Sequence, residues 1–464
     1  MPKQRKPVDA PAPDPSERTK TLIARRELKM ARSAHAYVRG STERFYEWIA
    51  LDAGRSVPSG PAVWICGDCH VGNLGPIGRP VGAAVVELRD LDQAVIGNPA
   101  HDVVRLALSL AMSARSSDLP GVITSRMTED LVAGYEQAFE GEAPSEKIDE
   151  LPAPFRLVMK RAVRRTWNRL FEERLGSKQP RIPFGSRFWP LTGTEKSAIE
   201  ALVSTEAVRK LVLMLEHRPD DATVTFMDAA FWVKGCSSLG LWRAAVLVRI
   251  EDGEKKKRQA TPCLLDIKQA VEASAPWAKG QQQDLDPGER VLLGARALAP
   301  SLGTRMVAAN MLDRSVFVRE LLPQDLKVEL DQISGDDARS VAFYLGQVVG
   351  RAHGRQLDPG ARQAWQREMA SRRSKSIDAP SWLWTSLTEL VGKHEAAYLE
   401  HCRRYALPVE REKEGLPAAA PEAEPVRIKA GHTAMAASAA GAADADQSDA
   451  RADVPEILTQ PADL

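Results

Sequence analysis

The apolar residues of this chain change their spacing twice, and that change limits the architectures open to it. Glu27 to Trp48 and residues 120 to 220 read as mostly helical, with a break near Gly40. Thr223 to Leu330 turns strand-rich, with a charged hairpin tip at Glu251 to Arg258 (EDGEKKKR). From Asp336 to about Tyr405 the spacing is helical again. Two short apolar runs bounded by Gly and Pro, Ala62 to Ile65 and Ala83 to Leu88, read as buried strands. His101 to Arg115 sets Val104, Leu108 and Ala111 on one helical side. The expected class is α+β.

At 464 residues the chain exceeds one ordinary core, and length favours roughly two or three domains. The pattern divides it into a mainly helical lobe over 23–222, a β-rich lobe over 223–330 and a helical segment over 331–410 that completes the larger lobe. Residues 1–22, rich in Pro and charge, and 411–464, an Ala, Pro, Glu and Asp mixture, read as disordered ends. Lys plus Arg total 63 against 62 Asp plus Glu, so no basic surplus marks a nucleic-acid binder. No apolar run reaches the roughly 18 residues of a membrane span. The longest, around Val103 to Met112, is interrupted by Arg105. The basic N-terminus lacks the apolar stretch of a secretory signal, and five cysteines make no disulfide scaffold, so a cytoplasmic location is expected.

Residues 66 to 73 read Cys-Gly-Asp-Cys-His-Val-Gly-Asn, directly after the first expected strand. Asp68 and Asn73 stand five apart on a stretch too rich in Gly for a regular helix, and Asp90 follows seventeen residues after Asn73. Phosphoryl transfer needs a carboxylate that orients and deprotonates the acceptor hydroxyl, and oxygen ligands for the magnesium that neutralises the phosphates. An Asp, an Asn five later and an Asp at the end of a following strand meet that need on one side of a β-hairpin. Protein-kinase catalytic loops use the same D-x-x-x-x-N spacing. The bland reading is a set of turn-forming residues, and the pattern after Asp90 weighs against it.

The local wording resembles small-molecule kinases of the aminoglycoside and choline phosphotransferase type. Their loop reads like HGDLHPGN, and their metal aspartate opens a D-F-G-D-A…G-D-P…D pattern; here the second part is DLDQAVIGNPAHD, Asp90 to Asp102. That resemblance implies Asp68 as catalytic base, Asn73 and Asp90 as magnesium ligands and Asp102 as a buried buttress. Cys66 departs from it, standing where those kinases carry the loop His. Asp92 either assists the metal or caps the turn before Gly97.

The cysteines permit rival readings. Cys66-x-x-Cys69-His70 fits c-type haem attachment, which belongs outside the cytoplasm. A zinc site or redox pair at Cys66 and Cys69, joined by His70 and His101, would make a metal-dependent hydrolase with Asp68, Asp90 and Asp92. Cys236, Cys263 and Cys402 are isolated and read as small buried hydrophobes.

A nucleotide-holding device is expected further along. Lys234 to Gly240 reads KGCSSLG between two strand patterns, and Gly235-x-Ser237-x-x-Gly240 keeps the outer glycines of a kinase Gly-rich loop with Ser at the middle one. Lys268 ends the apolar strand CLLDIK, as the kinase β3 lysine does, and a lysine on such a strand needs an acidic partner. Glu289, on the next helix, is the expected partner, with Glu272 the other choice. Arg39 either sets a cation near the phosphates or braces a carboxylate.

These stretches stand in reversed order relative to a kinase, so the expected fold is a protein-kinase-like two-lobed α+β fold, circularly permuted. The helix ending near His353 would then lead into the loop at Asp68. The chain resembles the bacterial family named domain of unknown function 2252, from about residue 25 to about 405. The matching stretches include VWICGDCHVGNLG (63–75), LRDLDQAVIGNPAHDVVRLALSL (88–110), KGCSSLGLWR (234–243), LLDIKQA (264–270) and GRAHGRQ (350–356). Ser33-Ala34-His35 stands where that family commonly has Ser-Pro-Phe, and Cys69 where a small residue such as Ala is usual. The expected function is ATP- and Mg-dependent phosphoryl transfer to a hydroxyl of a small molecule or protein. The alternatives are a non-catalytic nucleotide-binding sensor or scaffold with the same fold and, further off, a metal-dependent hydrolase.

Overall fold

The computed structural model describes residues 12–51, 56–80, 84–140, 146–175, 181–215, 218–251, 261–326, 328, 334–371, 373 and 378–413. Residues 1–11, the hairpin tip at 252–258 and the tail beyond 413 lie outside the described residues. The architecture is mixed α and β, with order already set in by α1 (Arg18–Met30). The expected boundary at residue 22 therefore falls inside a helix. Composition at this end is polar, but Leu22 is buried and Arg18 holds Glu195 through two bonds of 2.9 and 3.0 Å, so tertiary contacts override the local signal.

Two short helices follow, α2 (Ala34–Gly40) and α3 (Thr42–Ala50), then a small β region: β1 (Val63–Ile65), β2 (Leu74–Gly78), β3 (Ala84–Leu88) and β4 (Val95–Gly97). β2 and β3 form an antiparallel hairpin with Leu74 opposite Leu88, so Asn73 and Asp90 flank its open end. β1 pairs antiparallel with β4, Ile65 opposite Val95, which fixes the chain entering the Cys66 segment beside the chain leaving Asp92.

Helix α4 (Pro99–Ser116) is buried all round from Pro99 to Ala114, which marks a central helix. Asn98 starts it, its Oδ1 accepting from Ala100 N–H at 3.0 Å. Packed against it are α2, α5 (Gly121–Gln137) and, later in the chain, α12 (Gly335–Gly354) and α14 (Ser381–His401), while α6 (Ala153–Arg164) packs on α12 and α13 (Pro359–Ala370) follows α12 in the chain. Helices α7 (Trp167–Leu175), α8 (Gly193–Val203), α9 (Glu206–Leu213), α10 (Pro287–Leu298), α11 (Pro300–Gly303) and α15 (Leu407–Lys413) complete the set. No helix among the described residues is long and apolar enough to cross a membrane.

The strand-rich middle builds one antiparallel sheet from β5 (Phe188–Trp189), β6 (Thr223–Trp232), β7 (Arg243–Glu251), β8 (Thr261–Gln269), β9 (Met306–Met311) and β10 (Arg314–Glu320), in the order β5-β6-β7-β8-β10-β9. One face buries Ala244, Val246, Cys263, Leu265, Ile267 and Val318 under α8 and α9. The other face is apolar only in part. Ala230, Trp232, Ala245, Leu247 and Leu264 are sealed by Leu170, Phe171, Leu175 and Ile182, from α7 and the chain after it. Towards the end of β8 the same face turns charged, because two-residue alternation from Leu264 brings up Asp266 and Lys268.

Candidate functional site

Each group of interest is held by a local device. Gly67, after β1, has φ +72°, and a Cβ there would sit 2.1 Å from Gln93 O. No larger residue fits that close approach. Asp102 on α4 is fully buried and accepts from Cys66 N–H at 2.7 Å and Gly67 N–H at 3.0 Å. Tyr46 donates to Gly67 O at 2.8 Å. Under Asp102, His353 Nε2 lies 3.1 Å from its Oδ2, His353 Nδ1 lies 2.9 Å from Tyr135 OH, and Trp365 Nε1–H donates to that oxygen at 3.1 Å. Trp365 donates to Tyr135, and a neutral imidazole that donates from Nε2 to Asp102 accepts from Tyr135 at Nδ1.

The loop so anchored presents Asp68. Its Oδ1 accepts from Arg105 Nε and Nη2 at 3.2 and 2.8 Å, while His70 Nε2 lies 3.8 Å from its Oδ2. Burial draws the His70 pKa down to about 3, so the imidazole beside Asp68 is neutral. Asn73 closes the loop onto the main chain of Asp90: its Oδ1 accepts from Asp90 N–H at 2.7 Å and its Nδ2 donates to Asp90 O at 2.7 Å. Cys66 Sγ also receives Asn73 Nδ2 at 3.3 Å and lies 3.7 Å from Asp90 O.

Lys268 reaches this group from the sheet. Its buried ammonium lies 3.4 Å from Asp90 Oδ1 and bonds Asp92 Oδ2. Burial pushes the Lys268 pKa below the usual lysine range even though Asp90 pulls the other way. The Asp90 carboxyl is raised by burial, but Lys268, Arg319 and Arg243 outweigh that and hold it below the carboxylate range. Asp90 keeps 55% of its side chain exposed to the cavity, and Asp92 Oδ1 is buried with no hydrogen-bond partner. Asp92 is therefore a member of the site rather than a turn cap.

Glu289 is not where the sequence placed it. It sits exposed in the first turn of α10, under the Asp286 cap, while Asp90 and Asp92 neutralise Lys268. Glu272 is exposed as well. The next residue on α10 faces in: buried Arg290 donates to Ala94 O, Asp92 O and Val271 O at 2.5, 2.8 and 2.7 Å, tying the acidic turn to the chain after β8. The helical phase separates Glu289 from Arg290, and no signal in the local sequence fixes that phase.

Gly235 and Gly240 bracket the turn between β6 and β7 with φ +115° and +110°, conformations that favour Gly. Lys29 Nζ donates to Gly235 O at 2.5 Å, fastening the turn to α1. Ser237, Gly235, Gly240, Asp68, Asn73 and Asp90 all line one cavity of about 640 Å³. Arg39 lines it too, its guanidinium over Gly72, and forms no ion pair or hydrogen bond among the described residues. The carboxylate brace considered for it is instead supplied to Asp68 by Arg105. The sequence held a hint of that, a charge inside an apolar helix.

The family model described as an uncharacterized protein conserved in bacteria (DUF2252) matches residues 18–404. The chain belongs to the DUF2252 family. No curated protein and no solved structure matches it. No group of three or more His, Cys, Asp or Glu placed to hold a metal, as the zinc reading needs, occurs among the described residues. Cys66 and Cys69 are buried free thiols. Burial pushes the Cys66 thiol up, while Cys69, which Cys66 draws down through a hydrogen bond, still ends above its usual value because it too is buried. Of the remaining cysteines Cys263 is buried and Cys236 and Cys402 are half-buried. Trp189 and Trp232 are core residues, and Glu320 is consumed by a buried pair with Arg218.

Proposed function

We propose that this protein is an ATP- and Mg-dependent phosphotransferase with a kinase-like, circularly permuted two-lobed arrangement, acting on a hydroxyl of a small molecule or protein. The observation that carries the reading is the meeting of Lys268 with Asp90 at the cavity wall, 3.4 Å apart, from stretches 178 residues apart in the chain. A lysine strand between a glycine turn and a helix, set against an Asp/Asn loop, is the equipment phosphoryl transfer uses.

Asp68 supports the role of base, since Arg105 holds one oxygen and leaves Oδ2 to orient the acceptor hydroxyl and take its proton. Asp90 and Asp92 fit magnesium: one carboxylate faces the cavity and the other keeps a buried oxygen without a partner. Asn73 Oδ1 retains one lone pair beyond the Asp90 N–H it accepts. Magnesium, when bound, neutralises phosphate charge and needs few protein ligands, in keeping with this small donor set. Lys268, Lys29 and the Gly235–Gly240 turn steady the phosphates, and Arg39 offers an unpaired cation beside Asp68.

The test is ATP-induced thermal stabilisation with and without magnesium, together with ATP consumption, in wild type and Asp90→Ala. A magnesium-dependent shift and consumption, both lost in Asp90→Ala, are expected. A shift without consumption would move the reading to a nucleotide sensor or scaffold, and no nucleotide effect at all would end both.

A further inference from the structure

Helix α6 carries four cations and no carboxylate. Residues three and four apart share a side of a helix, so Leu157, Arg161 and Arg164 form one stripe and Arg156, Lys160 and Val163 the next. Phe155, Met159 and Ala162, on the opposite side, are buried. Lys160, Arg161 and Arg164 stand exposed, and Leu157 among them is 63% exposed.

Leu157, Lys160, Arg161 and Arg164 meet Arg165 and Arg169 around a groove of about 440 Å³. Glu173, the carboxylate of that groove, bonds Arg165 and accepts from Arg169 Nε at 2.9 Å. Asp149 holds Lys160 at 2.8 Å, and Glu172 lies 3.7 Å from Arg169. Arg161 and Arg164 remain: their side chains form no ion pair or hydrogen bond among the described residues. None of these residues lines the cavity of Asp68.

A leucine among cations gains nothing from water, nor from the phosphates of a nucleic acid. The boundary of an anionic bilayer offers phosphate to the arginines and acyl chain to the leucine. We infer that the outer face of α6 is a docking surface for anionic phospholipid, with Arg161 and Arg164 on headgroup phosphates and Leu157 entering the acyl boundary. The contact is peripheral, because the apolar side of α6 stays in the core. It holds or falls without the phosphotransferase reading, which concerns a different cavity.

The experiment is co-sedimentation of the full chain with vesicles of phosphatidylglycerol and phosphatidylcholine in equal parts, and with vesicles of phosphatidylcholine alone. Binding to the first alone is expected, and its loss in about 1 M salt, where the screening length falls to about 3 Å. Replacing both arginines, Arg161→Ala with Arg164→Ala, is expected to weaken binding about thirtyfold, the scale of one headgroup attraction for each. Leu157→Ala is expected to weaken it about tenfold. Circular dichroism shows that these variants are folded, and the salt series on wild type tests the charge contact without any variant. Absence of vesicle binding, or equal binding to both vesicles, overturns the inference. Binding that either folded variant leaves unchanged, or that salt leaves unchanged, overturns it equally. Duplex DNA held more tightly than the anionic vesicles makes the face a nucleic-acid surface and overturns it as well.

Discussion

Asp102 and His353 are 251 residues apart in the chain and touch beneath the Asp68 loop, Nε2 lying 3.1 Å from Oδ2. The contact joins α12 to α4 and ends a line of donors that begins at Trp365. Asp102 spends both oxygens on the N–H groups of Cys66 and Gly67, so its loss strands three buried groups at once. Asp102→Ala is expected to lower unfolding stability by about 3–5 kcal/mol, measured by urea denaturation. A loss below about 1 kcal/mol would mean that the loop is anchored elsewhere.

Gly67→Ala tests the same loop from the backbone. The added Cβ meets Gln93 O at 2.1 Å in a left-handed conformation, so a cost of about 2 kcal/mol or more is expected. Thermal melting of the variant reads it, and an unchanged melt would contradict the close approach.

Much of the site was legible and some was not. The Asp68, Asn73 and Asp90 block reads from sequence because its members sit at fixed offsets around one hairpin, and their bonds to one another are short-range. Lys268 stood out as a charge ending an apolar strand. Asp266, on the same strand, was overlooked because its partners Arg243 and Arg319 come from neighbouring strands that only the sheet register aligns. Glu289 was misplaced because one residue of helical phase decides whether α10 turns Glu289 or Arg290 inward, and it buries Arg290 against the carbonyls of Ala94, Asp92 and Val271. The mixed class and most element positions followed from apolar spacing, whereas the start of α1 depended on distant Glu195.

Arg39 lines the cavity without an ion pair among the described residues, so its removal is expected to touch binding and not the fold. Arg39→Ala is expected to melt within a degree or two of wild type while phosphoryl transfer falls about a hundredfold, as for one oriented charge at a reacting phosphate. Equal losses of melting temperature and rate would make it a structural residue.

Acid will destabilise the protein through three histidines. Burial lowers His70 to about 3 and His101 and His394 to about 4, below the unfolded value of 6.5. The unfolded chain therefore binds protons first. Stability is complete above pH 6.5 and is lost as pH falls towards 4, by about 1.4 kcal/mol per pH unit for each histidine. Melting temperatures between pH 7.5 and 4.5 check the sign, and a constant melting temperature over that range would contradict it.

The most direct measurement is calorimetric binding of Mg·ATP to Lys268→Met beside wild type, in protein shown to be folded. With the ammonium group bridging the acidic turn and the phosphates, binding is expected to weaken about a hundredfold. An unchanged dissociation constant would mean that the triphosphate lies away from Lys268 and Asp90, and the phosphoryl-transfer account would fall.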